Sequence, residues 1–187
     1  MAGSAALQPP VMVLPGWGSR RRGRVEGGCA VLTGEGARWV DGEVTREGTR
    51  LRYRDYRNDR EHRDHRNCGG TGTPLLFLHG LAGHAGEWEQ AARRMRGRRR
   101  VIAVDQRGHG ASDRRPADVS REAYVADVLA VLDHLALPRV VLVGQSMGGH
   151  TAMLTAARHP DRVAALVMIE AGAVGPTPEE VSRIDRW

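Results

Sequence analysis

Ser146 is the residue whose surroundings point most clearly to chemistry. It lies in the sequence Gly-Gln-Ser-Met-Gly at 144–148, after the β-branched run 139–143 and before a helix-forming segment that Pro160 ends. The apolar run is typical of a strand buried on both faces of a sheet. A serine on the sharp turn between such a strand and a helix projects its hydroxyl from the sheet edge, where it can act as a nucleophile. The alternative is a turn that uses glycine for its geometry and serine as a helix cap.

A second segment could supply backbone donors to the same edge. The apolar strand 74–78 leads into His79-Gly80-Leu81 and a small-residue loop. Acyl transfer to a serine creates an oxyanion, which two backbone N–H groups can stabilise. The amide of Met147, directly after the serine, is one candidate donor, and the amide of Leu81 is the other. The alternative for this segment is an ordinary turn between strand and helix.

A third segment follows another buried strand, 101–105. That strand ends in Asp105 and continues into Gln-Arg-Gly-His-Gly-Ala-Ser at 106–112. The glycine-punctuated turn could carry polar groups to the sheet edge where Ser146 is expected. It could equally be a structural loop that Asp105 and Arg107 tie together.

Together these segments resemble the α/β-hydrolase family. The strand followed by His-Gly, the Asp-x-Arg-Gly-x-Gly-x-Ser sequence and the Gly-x-Ser-x-Gly sequence match its pattern in order and spacing, over residues 39–173. The resemblance implies an α/β fold with a mostly parallel, doubly wound sheet, Ser146 as nucleophile, Leu81 and Met147 as oxyanion donors, and no cofactor or metal. The residues expected to line the site are His79, Gly80, Asp105, His109, Gly144, Gln145 and Gly148.

The net charge of +6 does not point to nucleic acid. All 28 basic residues are arginine, a skew that a GC-rich genome explains more economically than selection for phosphate binding. Aromatic residues are not interleaved with the arginine runs at 20–22 and 98–100, so we expect no nucleic-acid partner. The two cysteines have no metal or redox spacing.

No apolar run approaches the length of a membrane span. The short apolar piece 11–14 is interrupted by Pro15 and has arginines after it rather than before it, unlike a secretory signal. We therefore expect a cytoplasmic protein without a membrane partner. The resemblance implies that its partner is a small acyl substrate.

The chain divides into three parts. Residues 1–36 have no sustained periodicity and are predicted to be a disordered extension. Residues 37–174 form the hydrolase-type core, which includes a charge-dense loop at 55–73, and 175–187 resemble the start of a cap helix. Within the core we predict antiparallel strands at 39–44 and 49–54, a helix at 87–96 and a helix capped by Ser120. We also predict a helix at 149–159, after the turn at Ser146, and a strand at 163–170.

The catalytic base is the weak point of this interpretation. The family presents its triad in the order serine, acid, histidine. His150 and His159 are the only histidines after Ser146, and helical geometry directs the first away from the serine and places the second at the far end of the helix. Glu170 ends the following strand and is a candidate triad acid; the alternative is a strand-end carboxylate bonded to loop N–H groups.

The resemblance places two further strands, the acid-bearing loop and the histidine loop beyond residue 187. The sequence therefore predicts a partial hydrolase fold without its C-terminal strands and most of its cap. The leading hypothesis is a serine hydrolase for an ester, a lactone or a related acyl substrate, with little activity in this form; relatives also include perhydrolases and C–C bond hydrolases. The alternative is a non-catalytic remnant or interaction protein, whose exposed sheet edge would favour self-association.

Overall fold

A computed structural model describes residues 12–15, 39–56 and 72–171. The predicted cap helix at 175–187 lies outside these residues. So do most of the loop predicted at 55–73 and most of the predicted extension 1–36.

The described residues form a single sheet flanked by helices. Its strands are β1 (Met12–Pro15), β2 (Val40–Arg46), β3 (Thr49–Tyr56), β4 (Leu75–Leu78), β5 (Val101–Asp105), β6 (Val140–Gln145) and β7 (Val163–Ile169). The helices are α1 (Glu89–Met95), which a 3₁₀ turn at Ala85–Trp88 precedes, α2 (Arg121–His134) and α3 (Met147–Arg158). The strands and helices predicted for the core are confirmed, and Ser120 caps α2 by accepting a hydrogen bond from the Ala123 amide at 3.2 Å.

The strand order is β1-β7-β6-β4-β5-β3-β2. Strands β4 to β7 are mutually parallel, and β3, β2 and β1 run antiparallel to their neighbours. The chain passes from β4 to β5 on one side and then returns to place β6 on the other side of β4. In an open α/β sheet, a crevice forms at the carboxyl ends of the strands where the order reverses in this way. The loops after β4 and β6 border that crevice.

Helices cover both faces of the sheet because the central strands, such as β4 and β5, are apolar on both faces. Leu76, Leu78 and Leu142 pack with residues of α2 and α3 in one cluster. Phe77 and Val143, which point to the opposite face, pack with Ala92 of α1 and with the 3₁₀ turn. The predicted doubly wound α/β architecture is therefore confirmed.

Strand β1 differs from the sequence prediction of a disordered extension. Its backbone pairs antiparallel with β7, with Met12 opposite Met168 and Pro15 opposite Ala165. A four-residue apolar run that ends in proline carries little strand signal, although proline is tolerated on edge strands. The pairing occupies the outer edge of β7. Self-association through that edge stays a prediction, and it would require β1 to dissociate from β7.

In the described ranges, no helix is both long enough and apolar enough to cross a membrane.

Candidate active site

Ser146 occupies the sharp turn that the sequence predicted. It follows Gln145 at the end of β6 and immediately precedes Met147 at the start of α3, with φ 49° and ψ −115°. Residues other than glycine rarely adopt such angles, and the strain of about 1–3 kcal/mol persists only where neighbouring structure holds the residue. Here the Ser146 amide donates to the Ile169 carbonyl at 2.9 Å, and the Ser146 carbonyl accepts from the His150 amide at 3.1 Å. The turn is therefore held at both ends.

Two glycines make this turn possible. A Cβ on Gly144 would lie 2.3 Å from the carbonyl oxygen of Gly148, and a Cβ on Gly148 would lie 2.3 Å from the carbonyl oxygen of Leu78. Both obstacles are backbone atoms, which cannot rotate away as a side chain could. The close approach of β6, α3 and β4 therefore requires glycine at both positions.

His79 lies beneath the site and not at its surface. It was expected to line the site, but it is fully buried. Its Nε2 accepts from the Gln106 amide at 3.0 Å, so the ring proton is on Nδ1, which lies 2.7 Å from the Gly80 carbonyl oxygen and donates to it. The side-chain amide of Gln106 also donates to the His79 carbonyl at 2.7 Å. His79 is thus a clamp between the loops after β4 and β5.

This clamp orients the amide of Leu81. The Gly80 carbonyl accepts from His79 and also from the Gly83 amide at 3.0 Å. In a planar trans peptide the carbonyl and the next N–H point in opposite directions, so the Leu81 N–H faces away from His79. Neither the Leu81 nor the Met147 amide donates a hydrogen bond to another described group. Their convergence on the serine oxygen stays a prediction.

Burial lowers the pKa of the His79 imidazole below its usual value, because the charged form loses its hydration. The neighbouring His109, whose ring centroid lies 5.2 Å away, lowers it further. The bond to the Gly80 carbonyl and the carboxylates of Asp105 and Glu87 oppose this shift. Protonation would also turn Nε2 into a donor that faces the N–H of Gln106.

We expect this shift to make stability depend on pH. Below about pH 6.5 the unfolded chain binds a proton at His79 that the folded chain does not bind, so the free energy of unfolding should fall as pH drops from 7 to 5.5. The slope from one such group is at most about 1.4 kcal/mol per pH unit. Urea unfolding of the native chain and of His79→Asn at both pH values measures this, since all other titrating groups are shared. Equal slopes in the two proteins would contradict the prediction.

Asp105 ties two loops together. It was expected to line the site, but its carboxylate is buried and accepts from the Ala85 amide at 2.6 Å and the Ala111 amide at 3.0 Å. A Cβ on Gly110, whose φ is +53°, would lie 2.2 Å from the Asp105 carboxyl carbon. Asp105 therefore holds the loop together, as the alternative for this segment predicted, and does not line the cleft.

Arg107 anchors the same loop to α2. Its guanidinium is buried and binds both carboxylate oxygens of Asp127, each at 2.6 Å. The bond to Asp127 raises the pKa of Arg107, an effect that burial opposes. The Arg107 carbonyl in turn lies 2.9 Å from Nδ1 of His109. The loop that carries His109 is therefore fixed from below by a buried ion pair.

An open cleft of about 570 Å³ lies above these anchors. Its lining residues are Gly80, Leu81, Ala82, Gly83, Glu87, Trp88, Gln145, Ser146 and Ile169. Gly80 and Gln145 were expected there, whereas Glu87 and Trp88 were not singled out. Trp88 stacks on Phe77 with ring centroids 4.7 Å apart and planes 8° from parallel. Trp88 ends the 3₁₀ turn and forms a wall of the cleft. A second depression, of about 390 Å³, adjoins it and includes His109.

Comparison with known proteins identifies the family. Residues 73–186, more than half of the chain, match the family model described as the alpha/beta hydrolase fold. The chain belongs to the α/β-hydrolase family. The sharp turn at Ser146 and the loop after β4 both lie inside the matched range.

Two relatives and two solved structures illustrate the similarity to other α/β-hydrolases. The sn-1-specific diacylglycerol lipase ABHD11 of Mus musculus is 46% identical over 106 residues, 56% of this chain and 34% of that protein. A putative non-heme haloperoxidase of Mycobacterium phage D29 is 43% identical over 105 residues, 56% of this chain and 38% of that protein. The solved structures of an α/β-hydrolase from Novosphingobium aromaticivorans (33% identity, TM-score 0.64) and of Est816, an N-acyl homoserine lactone degrading enzyme (31%, 0.64), match 81% and 77% of this chain.

The match covers only part of each α/β-hydrolase relative. This chain spans about a third of the length of the two curated relatives and about half of the two solved structures. The activity, substrates and partners of those proteins therefore do not transfer directly to it.

Glu170, the candidate acid, is exposed at the end of β7, and the Gln145 side-chain amide donates to it at 3.2 Å. Among the described residues, no hydrogen bond joins a histidine side chain to Ser146 or to Glu170. No group of three metal-ligating side chains occurs in the described ranges either. The role of Glu170 as a triad acid stays a prediction.

Proposed function

We propose that this chain carries the nucleophile and the oxyanion donors of a serine hydrolase for carboxylic esters, lactones or related acyl compounds. The observation that supports this most directly is the strained backbone of Ser146. Ser146 also borders the open cleft. A non-glycine residue held at such angles is costly and is typical of functional sites. A helix cap would not explain it, since the Ser146 side chain makes no capping hydrogen bond.

The reaction would proceed in two acyl transfers. In the first, the Ser146 oxygen bonds to the acyl carbon, its proton leaves to a base, and the alcohol departs with a proton. In the second, water attacks the ester formed on Ser146, releases the acid and restores the hydroxyl. In each step the negative charge on the former carbonyl oxygen would be held by the Leu81 and Met147 amides, which lack other described acceptors.

The relatives support this class of substrate. The names of the mouse lipase and of Est816 refer to an acylglycerol and to a lactone, and both compounds contain a carboxylic ester bond. Trp88 and Ile169 give the cleft an apolar wall for an acyl chain.

Slow covalent labelling tests the proposal. The purified chain is incubated for hours with an excess of a fluorophosphonate, and the adduct is located by peptide mass spectrometry. We expect Ser146 to be modified ahead of the other serines, although slowly, since no described histidine is bonded to it. Modification spread evenly over the serines, or unchanged in Ser146→Ala, would refute the proposal.

Leu81 offers a matched pair of variants for the oxyanion donor. Leu81→Pro removes the N–H, whereas Leu81→Ala removes the side chain and keeps the N–H. Loss of one donor costs about 10²–10³ in rate in serine hydrolases, so Leu81→Pro should slow labelling of Ser146 by about 10²-fold. Leu81→Ala should slow it by less than about threefold, because the Leu81 side chain is largely exposed and makes few packing contacts.

A further inference from the structure

The depression next to the Ser146 cleft has an unusual chemical composition. It is lined by Leu81, Ala82, Gly83, His84, Gly108, His109, Gly110 and Arg114. The three polar side chains in this set are those of His84, His109 and Arg114, and no carboxylate is among the lining residues. The remaining residues are small or contribute backbone, which leaves space between the three.

Arg114 is available to bind a ligand. Its side chain is exposed, and it forms no ion pair or hydrogen bond with another residue of the described ranges. The adjacent carboxylate of Asp113 is already engaged, since it accepts from the Arg50 amide at 2.7 Å. The guanidinium can therefore offer two parallel N–H donors, the arrangement that suits a carboxylate.

The two histidines keep one ring nitrogen each for a ligand. Nδ1 of His84 accepts from the Gly86 amide at 3.0 Å, so neutral His84 has its proton on Nε2, which is a donor. Nδ1 of His109 lies 2.9 Å from the Arg107 carbonyl and donates to it. The Nε2 of His109 accepts a hydrogen bond when the ring is neutral and donates one when it is protonated.

Two carboxylates lie near this depression without lining it. One belongs to the neighbouring cleft, and the other already accepts hydrogen bonds. The Glu87 carboxylate faces Gly83 from the Ser146 cleft, since a Cβ on Gly83 would lie 2.5 Å from its Oε2. The Asp105 carboxylate is bonded to two backbone amides. The segment Leu81–Gly83 borders both hollows, so one molecule could place its acyl group beside Ser146 and a charged end beside Arg114.

We infer that the depression at His84, His109 and Arg114 is a subsite for a carboxylate carried by the acyl substrate, so that the preferred substrates are half esters or lactones of dicarboxylic acids. The inference rests on the proposed function for the place of the acyl group. The carboxylate at the other end of the substrate follows from the residues that line the depression.

Binding measurements test this without any turnover. Monohexyl glutarate and hexyl methyl glutarate differ only in one carboxylate, and their dissociation constants are measured by ligand-observed NMR titration against Ser146→Ala, which cannot transfer the acyl group. We expect the half ester to bind about five- to tenfold more tightly at low salt, and this preference to shrink as salt is added. Equal binding of the two compounds would overturn the inference.

Arg115 provides the matched control, since it is an exposed neighbouring arginine that does not line the depression. In the same background, Arg114→Ala should remove the preference for the half ester, and Arg115→Ala should leave most of it. An equal loss in both would show a general effect of net charge and would refute a local subsite. Displacement of the half ester by inorganic phosphate at lower concentration than by acetate would overturn the assignment to a carboxylate.

The two proposals fail in different ways. Absence of Ser146-specific labelling would refute the serine hydrolase and leave a carboxylate preference that depends on Arg114 intact. Specific labelling of Ser146 without such a preference would refute the subsite alone.

Discussion

Replacing Asp127 with alanine should lower the free energy of unfolding by about 3–5 kcal/mol. The side chains of Arg107 and Asp127 are only 2% and 6% exposed, and they are joined by two short hydrogen bonds. Removing the carboxylate leaves the guanidinium charge buried without its partner. Arg46, whose Nε donates to the same carboxylate at 2.8 Å, also loses that contact and keeps those with Glu47 and the Ala123 carbonyl. Urea unfolding followed by circular dichroism measures the loss.

Glu122→Ala is the control on the same helix. Glu122 also pairs with an arginine, Arg158, but their side chains are 66% and 45% exposed. Exposed pairs contribute about 0–1 kcal/mol, so this variant should differ little from the native chain. A loss in Asp127→Ala as small as that in Glu122→Ala would contradict the importance of the buried pair.

A double variant separates the buried charge from the lost contact. Arg107→Met combined with Asp127→Leu removes both charges and fills the space with apolar atoms. Buried ion pairs replaced in this way are often as stable as the original pair, so the double variant should be clearly more stable than Asp127→Ala. If it is less stable, the hydrogen bond from the Arg107 guanidinium to the Asp118 carbonyl matters more than the buried charge.

The fold of the core was predictable because its signals are local. Strands such as Val101–Asp105 and Val140–Gln145 are continuous apolar runs between polar or glycine-rich turns, the pattern of a strand covered on both faces. The position of Ser146 follows from the same signals, since a strand that ends one residue before a serine and a helix that begins one residue after it define the turn.

The roles of His79 and Asp105 could not be predicted from such local sequence signals. Both were placed at the correct sheet edge, but whether a side chain faces the cleft or the protein interior depends on partners distant in sequence. Gln106, which holds His79, is 27 residues away, and Ala85, which binds Asp105, is 20 residues away. Strand β1 was missed for the same reason, because its partner β7 lies at the other end of the chain.

The polypeptide 1–187 should hydrolyse a small activated aryl ester barely faster than buffer does. A serine hydroxyl keeps its proton unless a base accepts it, and is then a poor nucleophile. Among the described histidines, His79 is bonded at both ring nitrogens to backbone groups, and His109 lines the neighbouring depression. Neither side chain is bonded to Ser146. Loss of one member of a catalytic triad lowers turnover by several powers of ten, with a weak residual from the oxyanion donors.

The comparison with Ser146→Ala decides the matter. With p-nitrophenyl acetate, initial rates of the native chain and of this variant should agree within about threefold, because a serine without its base contributes little turnover. Fast hydrolysis that Ser146→Ala abolishes would contradict this expectation and show that a histidine of this chain acts as the base. His109→Gln would then identify it: His109 would have to break one hydrogen bond, to the Arg107 carbonyl, whereas His79 would have to break two and leave the core. Loss of activity in His109→Gln, with His79→Asn still active, would assign the base to the loop that Arg107 anchors.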